Sequence, residues 1–285
     1  MIPAGFDYVR AANVADAVAA LGTSDDAKLL GGGQSLIPIL RLRLATPELI
    51  VDVSGVSEMN GIREDGDAIV IGAATTHYAV LNDPLVAAHA PLLAQATATV
   101  ADPQVRHRGT FGGAIAHADP AGDLPGVALV HNATMTIAGP SGTREVAAAD
   151  FFVDYLTTAL AEDEVLVSVR LPKLGAGWGT HYEKFTRVAQ SWSIVAVAAA
   201  VRRENGSIAE ARVALTNMGS THLRATSVES ALAGSSASAD AIKAASQGAA
   251  EGTSPTSDLN AQADYRAELA RVLTGRAVAK AAGVS

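Results

Sequence analysis

The chain contains no cysteine, and that absence excludes several kinds of chemistry at once. Disulfides, thiolate metal sites, iron–sulfur clusters held by cysteine and a cysteinyl flavin bond are all ruled out within this chain. Basic charge is also short. Lys and Arg number 21 against 29 Asp and Glu, a net charge of −8 at pH 7, the opposite of the basic face that nucleic acid demands. No apolar run approaches the roughly 18 residues of a membrane span. The opening MIPAGFDYVRAA has neither the basic start nor the apolar stretch of a signal peptide, so the cytoplasm is the expected compartment.

What is present suffices for more than one domain: 285 residues, 49% of them hydrophobic. Residues 1–54 read as a β/α unit. There, NVADAVAALG spaces its apolar residues as a helix and AKLLGG is a short strand. SLIPILRLRL opens a helix with proline in its first turn, and ELIVDV is a second strand. Residues 55–175 read as a second unit, with strands at DAIVIGA, ATMTIAG and EVLVSVRLP and a helical stretch PLVAAHAPLLAQATATVA. Between that helix and the later strands, ADPQVRHRGTFGGAIAHADPAGDLP reads as one long loop, and long loops are usually functional or mobile. After a linker at PKLGAGWGTH, residues 178–285 read as strands (HYEKFTRV, SIVAVAAAVRR, SIAEARVALTNM) and then helices, with a turn at Glu204-Asn205-Gly206. Strands followed by helices predict an α+β fold.

The N-terminal half holds two glycine-rich elements, Gly31-Gly32-Gly33-Gln34-Ser35 and Thr110-Phe111-Gly112-Gly113-Ala114. Backbone without a Cβ lets a ligand approach closely and lets successive N–H groups converge, and a helix start just downstream adds partial positive charge. Ser35 and Thr110 each add a hydroxyl donor. The pair suits a pyrophosphate gripped from two sides without a lysine. A tight turn is the plain alternative for either run. Neither is a Walker A loop or a Rossmann fingerprint, so spacing alone leaves the ligand open.

The order of GGGQSLIPILRLRLATPELIVDV, IGAATTHYAVL, ADPQVRHRGTFGGAIAHADPAGDLP, LVSVRLP and YEKFTRV resembles that of the FAD-binding medium subunits of molybdenum hydroxylases. The likeness covers nearly the whole chain. Within that family MIPAGFDY, SLIPI…RLATPE, ADPQVR and DYRAEL look most like medium subunits of aerobic carbon monoxide dehydrogenases. The resemblance implies a two-part N-terminal FAD-binding domain of PCMH/VAO-like fold and a C-terminal domain of antiparallel strands and helices. It further implies an oxidoreductase subunit with no catalytic or metal-ligating residue of its own. A large subunit would carry the molybdenum cofactor and a small one two [2Fe–2S] clusters, in a dimer of heterotrimers. Electrons would pass through FAD on this chain to an external acceptor such as a quinone, with peripheral association at the inner face of the cytoplasmic membrane. Alternatives are a related hydroxylase acting on a purine, aldehyde or N-heterocycle, a stand-alone FAD-dependent reductase, or a non-flavin phosphate-binding module.

By the same resemblance the FAD pyrophosphate lies between Gly31, Gly32, Gly33, Gln34 and Ser35 on one side and Thr110, Phe111, Gly112, Gly113 and Ala114 on the other. Ala114 stands where relatives often carry a polar side chain, and so is expected as a backbone contact only. A side chain at Gly33 or Gly112 is expected to fill the phosphate space and expel the cofactor while sparing the fold. Asp123 matches an aspartate on the FAD ribose or adenine side, where it suits a ribose hydroxyl; it is also placed to N-cap the helix at LPGVALV, and the two roles can coexist. Lys184 is either a cation beside the isoalloxazine ring or a solvated strand residue. Leu166 flanks the flavin or fills core. Trp192 stacks beside the ring or is a buried core tryptophan. Among the histidines, His107 and His117 flank the second loop without metal-ligand spacing. A covalent flavin bond to His107, known in distant relatives of the fold, has no support in the sequence. Arg106 and Arg108 are expected to balance phosphate or carboxylate charge, or to face a partner.

Overall fold

The computed structural model describes residues 1–284. The first unit is a three-stranded parallel sheet of β1 (Asp7–Arg10), β2 (Ala27–Leu30) and β3 (Leu49–Asp52), in the order β1-β3-β2. The helix Val14–Leu21 joins β1 to β2 and starts where the Asn13 side chain accepts the Asp16 N–H at 2.8 Å, satisfying one of the free donors of a helix start. The first glycine loop leaves the C-terminal end of β2. That edge of a parallel sheet is where ligands of α/β folds characteristically bind.

The second unit is an antiparallel sheet. Its strands are β4 (Ile62–Asp65), β5 (Ala68–Gly72), β6 (Thr134–Gly139), β7 (Gly142–Ala147) and, after a small hairpin of β8 (Phe152–Asp154) and β9 (Thr157–Thr158), β10 (Val165–Pro172). The order is β4-β5-β10-β6-β7, with a register irregularity in β10 between Leu166 and Ser168. β1, β4 and β7 go unannounced by the hydrophobic pattern for one reason. Each is a sheet edge with mostly exposed residues, and an edge strand needs no apolar run.

One expectation is borne out with a break, and one needs correction. The helical stretch from Pro84 breaks into Pro84–His89 and Pro91–Ala98, because Pro91 has no N–H and pushes Ala90 out of the helical region, to φ −137° and ψ 55°. The long loop is not unstructured. It holds the helices Pro103–Arg106 and Phe111–His117, capped by Asp102 on the Val105 N–H (2.8 Å) and by Thr110 on the Gly113 N–H (3.1 Å).

The C-terminal unit is the meander β11 (Trp178–Phe185), β12 (Val195–Glu204), β13 (Ser207–Thr216) and β14 (Leu223–Arg224), backed by the helices Thr226–Leu232, Ala239–Ser246 and Ala263–Ala282. The turn between β12 and β13 has Asn205 at φ 50° and Gly206 at φ 81°, the left-handed pair that a tight hairpin needs. Strand β12 is buried on both faces. Val195, Val197, Ala199 and Val201 join the core under the C-terminal helices, whereas Ala196, Ala198 and Ala200 join the core of the N-terminal units. The alternation has period two, and the alanines let this sheet sit close against its neighbours. The α+β expectation holds.

Candidate functional site

All three main sheets contribute to the wall of one cavity of about 520 Å³, through Leu29 on β2, Leu166 on β10 and Lys184 on β11. Gly31, Gly32, Gly33, Gln34 and Ser35 line it, together with Thr110, Gly113 and Ala114. Asp123, Leu166, Lys184 and Trp192 complete the expected set. Phe111 and Gly112 do not reach it. Phe111 is fully buried in the core, and its N–H goes to Thr75 O at 2.8 Å, while the Gly112 N–H goes to Ala73 O at 2.9 Å.

The glycines turn out to have different jobs. A Cβ on Gly32 would lie 2.0 Å from the Arg108 carbonyl oxygen, and one on Gly112 would lie 2.3 Å from the Ala73 Cβ. Those two positions are bare so that protein can pack on protein, which corrects the expectation that a side chain at Gly112 would fill ligand space. Gly33 has φ +73°, and a Cβ there would meet Ile37 Cδ1 at 2.6 Å. On the cavity side, a Cβ on Gly31 would come within 3.0 Å of Thr110 Oγ1, and one on Gly113 within 2.6 Å. The two loops therefore touch, with Thr110 between them.

Among the described residues, the backbone N–H groups of Gly31, Gly32, Gly33, Gln34 and Ser35 donate to no protein acceptor. Gln34 Nε2 braces the turn by donating to Gly32 O at 3.1 Å. Ser35 begins the helix Leu36–Leu42 without using its hydroxyl as a cap. Thr110 Oγ1 accepts from Gly113 N and keeps its own O–H to donate. Successive unpaired N–H groups around one concavity form an anion nest, and leaving them unpaired is costly unless a ligand or water takes them. A lysine is nearby after all: Lys28, exposed on β2, lines the same cavity.

Asp123 and Lys184 are paired deep in the wall. Lys184 Nζ lies 2.8 Å from Asp123 Oδ2, with the two side chains 8% and 5% exposed. Tyr182 Oη (2.7 Å) and Ser193 Oγ (3.0 Å) both donate to Asp123 Oδ1. Lys184 also donates to Thr99 O at 3.1 Å, which leaves one of its three N–H bonds. Burial pushes the Asp123 carboxyl upward, opposed by Lys184, Tyr182 and Ser193. Asp123 sits at the start of the helix Leu124–Val130 but its side chain makes no capping bond there, so the capping reading fails. Likewise Lys184 is not a solvated strand residue.

Leu166 is buried at the irregularity of β10 and still reaches the cavity. Trp192 is not core: it is 56% exposed and lines the cavity. His107 stacks on Tyr78 with ring centroids 4.0 Å apart and does not line the cavity. Arg106 bonds the Val100 carbonyl at 2.7 Å rather than a carboxylate, and neither it nor Arg108 lines the cavity. The residues that pattern reading missed are Lys28, His77 and Asp119, all cavity-lining. No local motif marks them, because a strand, a helix start and a loop bring them together. No cluster of metal-ligand type occurs among the described residues.

Comparison with known proteins adds what geometry leaves open. Residues 4–174 match the family described as FAD binding domain in molybdopterin dehydrogenase, and residues 180–281 match CO dehydrogenase flavoprotein C-terminal domain. The chain belongs to the FAD-binding family of molybdopterin dehydrogenases. The carbon monoxide dehydrogenase medium chain of Hydrogenophaga pseudoflava is 40% identical over 279 residues, covering 98% of this chain and 97% of that one. A chain of the reconstituted CO dehydrogenase from Oligotropha carboxidovorans superposes with a TM-score of 0.97 at 38% identity, covering 100% of both. A chain of quinoline 2-oxidoreductase from Pseudomonas putida 86 gives 0.95 at 34% identity, covering 99% of each. As a member of this family of oxidoreductase subunits, the chain is expected to hold FAD, and its residues fit that group. The unpaired N–H run suits a diphosphate, and the apolar wall with Leu166 suits a flat ring.

Proposed function

We propose that this chain is the FAD-carrying medium subunit of a molybdenum hydroxylase complex of the carbon monoxide dehydrogenase type. The observation that carries the reading is the run of unpaired N–H groups from Gly31 to Ser35, next to Thr110 in the wall of one cavity. In this reading those N–H groups cradle the diphosphate, joined by the hydroxyls of Ser35 and Thr110 and backed by Gly113 and Ala114. Lys184 offers its remaining N–H toward the isoalloxazine, with Leu166 against the ring and Trp192 over its accessible edge. FAD supplies the ability to take electrons singly and to hold a pair. The polypeptide binds and orients it, and keeps bulk water from most of it.

Clusters ligated by cysteine require another chain, since this one has none. The proposal therefore includes a small [2Fe–2S] subunit and a large molybdenum subunit, assembled as a dimer of heterotrimers. It also includes a cytoplasmic location and a quinone acceptor met at the inner face of the membrane; no helix among the described residues is long and apolar enough to cross one. Units at 1–54, 55–175 and 178–285 belong to the same reading, supported by the separate sheets. The likeness to a quinoline 2-oxidoreductase chain favours, as second reading, a related complex acting on an N-heterocycle.

Purification of the chain with its native partners tests the proposal. The expected result is the two-banded visible absorption of oxidised flavin, one FAD per chain, iron and molybdenum in the co-purifying subunits, and dye reduction driven by carbon monoxide. Flavin without metal-bearing partners would point to a stand-alone reductase. Absence of flavin would refute the reading.

A further inference from the structure

His77 is the one cavity-lining histidine that the sequence reading passed over, and its surroundings fix how it can bond. It is the first residue of the helix His77–Asn82, which Thr76 caps through the Ala79 N–H. Its own N–H donates to Gly109 O at 2.9 Å, and Thr76 faces Thr110 across an isolated bridge. The ring is thus pinned to the second glycine loop. It is 4% exposed, and no protein group takes either ring nitrogen among the described residues.

The two nitrogens are not equivalent. Nδ1 is sealed from solvent with no hydrogen-bond partner. Placing the proton there would bury a donor without an acceptor, which costs more than leaving a lone pair unused. The favoured tautomer therefore carries its proton on Nε2. The Cδ2–Nε2 edge faces Gly109, where a Cβ would come within 2.9 Å of Cδ2 and 3.2 Å of Nε2. His77 and Gly109 both line the cavity, and Nε2, unlike Nδ1, is not among the sealed atoms. In the ligand-free chain, burial and the Arg106 charge hold His77 at about 4, so the free chain presents a neutral imidazole at neutral pH.

We infer that His77 donates an Nε2–H hydrogen bond to a phosphate oxygen of the bound dinucleotide, as a third arm of the cradle beside the N–H run and Thr110. This rests on the FAD reading above. It gives the buried ring the polar partner that the protein withholds.

The test uses the full-length chain labelled with ¹⁵N-histidine, freed of flavin and titrated with FAD. The His77 ring resonances, assigned with a His77→Gln variant, are expected to show an Nε2–H tautomer before and after binding. On saturation the Nε2 proton should move downfield into the hydrogen-bonded range. In parallel, His77→Ala is expected to bind FAD about ten- to a hundredfold more weakly, and His77→Gln, whose Nε2 amide can replace the donor, within about threefold of the parent. Saturable FAD binding with unmoved His77 resonances overturns the inference and leaves the FAD reading standing. So does a folded His77→Ala variant with unchanged affinity. Failure of the parent chain to bind FAD at all removes both.

Discussion

Removing both members of the buried Asp123–Lys184 pair should cost clearly less than the sum of removing each alone. The pair lies at 2.8 Å with both side chains less than a tenth exposed, and it ties the start of the helix Leu124–Val130 to strand β11. Breaking a buried pair from one side typically costs about 3–5 kcal/mol, because the abandoned charge stays desolvated. Asp123→Asn leaves the Lys184 ammonium with Thr99 O as its remaining acceptor, so it should fall in that range. Lys184→Met should cost less, because Asp123 keeps Tyr182 and Ser193 as donors and can take up a proton. Its carboxyl is already pushed up by burial, and losing Lys184 pushes it higher. The folded state then binds the proton more readily than the unfolded chain, so the Lys184→Met deficit should shrink as the pH falls. For a chain of this size 3–5 kcal/mol corresponds to a fall in Tm of about 6–20 °C. Calorimetry on the parent, both single variants and Asp123→Asn/Lys184→Met closes the cycle. The expected coupling is about 2 kcal/mol or more, the double variant being more stable than the singles predict. Additivity within about 0.5 kcal/mol would refute the account of a charge pair held by mutual neutralisation.

Other outcomes follow from the same geometry. Gly32→Ala and Gly112→Ala should lower Tm sharply and reduce folded yield, since their methyl groups strike the Arg108 carbonyl and Ala73; overpacking of this kind costs about 1–3 kcal/mol or more. Ser35→Ala should leave thermal unfolding unchanged and weaken FAD binding by about threefold to tenfold, and an unchanged affinity would remove Ser35 from the cradle. His77, His131 and His222 are each held at about 4 by burial, from the ordinary 6.5. Their contribution is complete above that ordinary value and is lost as the pH falls toward the folded one, about 3 kcal/mol each over the whole span. Urea unfolding should accordingly show stability dropping by about 5 kcal/mol from pH 7 to pH 5, and a flat profile would contradict their burial as neutral rings. Trp192→Ala should change stability by less than about 0.5 kcal/mol, the indole being largely exposed, yet raise the fluorescence of bound flavin. Unchanged fluorescence would place the indole away from the ring.

Chain order and local chemistry made the glycine loops legible, since Gly31–Ser35 and Thr110–Ala114 combine glycines, a hydroxyl and a following helix within a few residues. Family resemblance then named the dinucleotide that spacing could not. The alternation of valine and alanine in β12 was likewise visible as a strand. What it meant was not: two different cores claim its two faces, and only the packed structure shows the alanines meeting the N-terminal units. Lys184 looked like a strand residue on a wet face because its carboxylate partner is 61 positions away.

By itself, then, the sequence determined the elements whose signals lie within one helix turn or strand, the absence of cysteine ligands for a cluster, and the glycine-and-hydroxyl character of two loops. Tertiary structure alone decided which neighbour each loop glycine makes room for: the Arg108 carbonyl at Gly32, Ala73 at Gly112 and the Thr110 hydroxyl at Gly31 and Gly113. It also decided that Asp123 holds Lys184 instead of capping its helix, and that His77 stands in the cavity wall. The physical reason is range. Capping and turn chemistry act between neighbours in the chain, whereas desolvation and close packing depend on which distant segments the fold brings within a few ångströms.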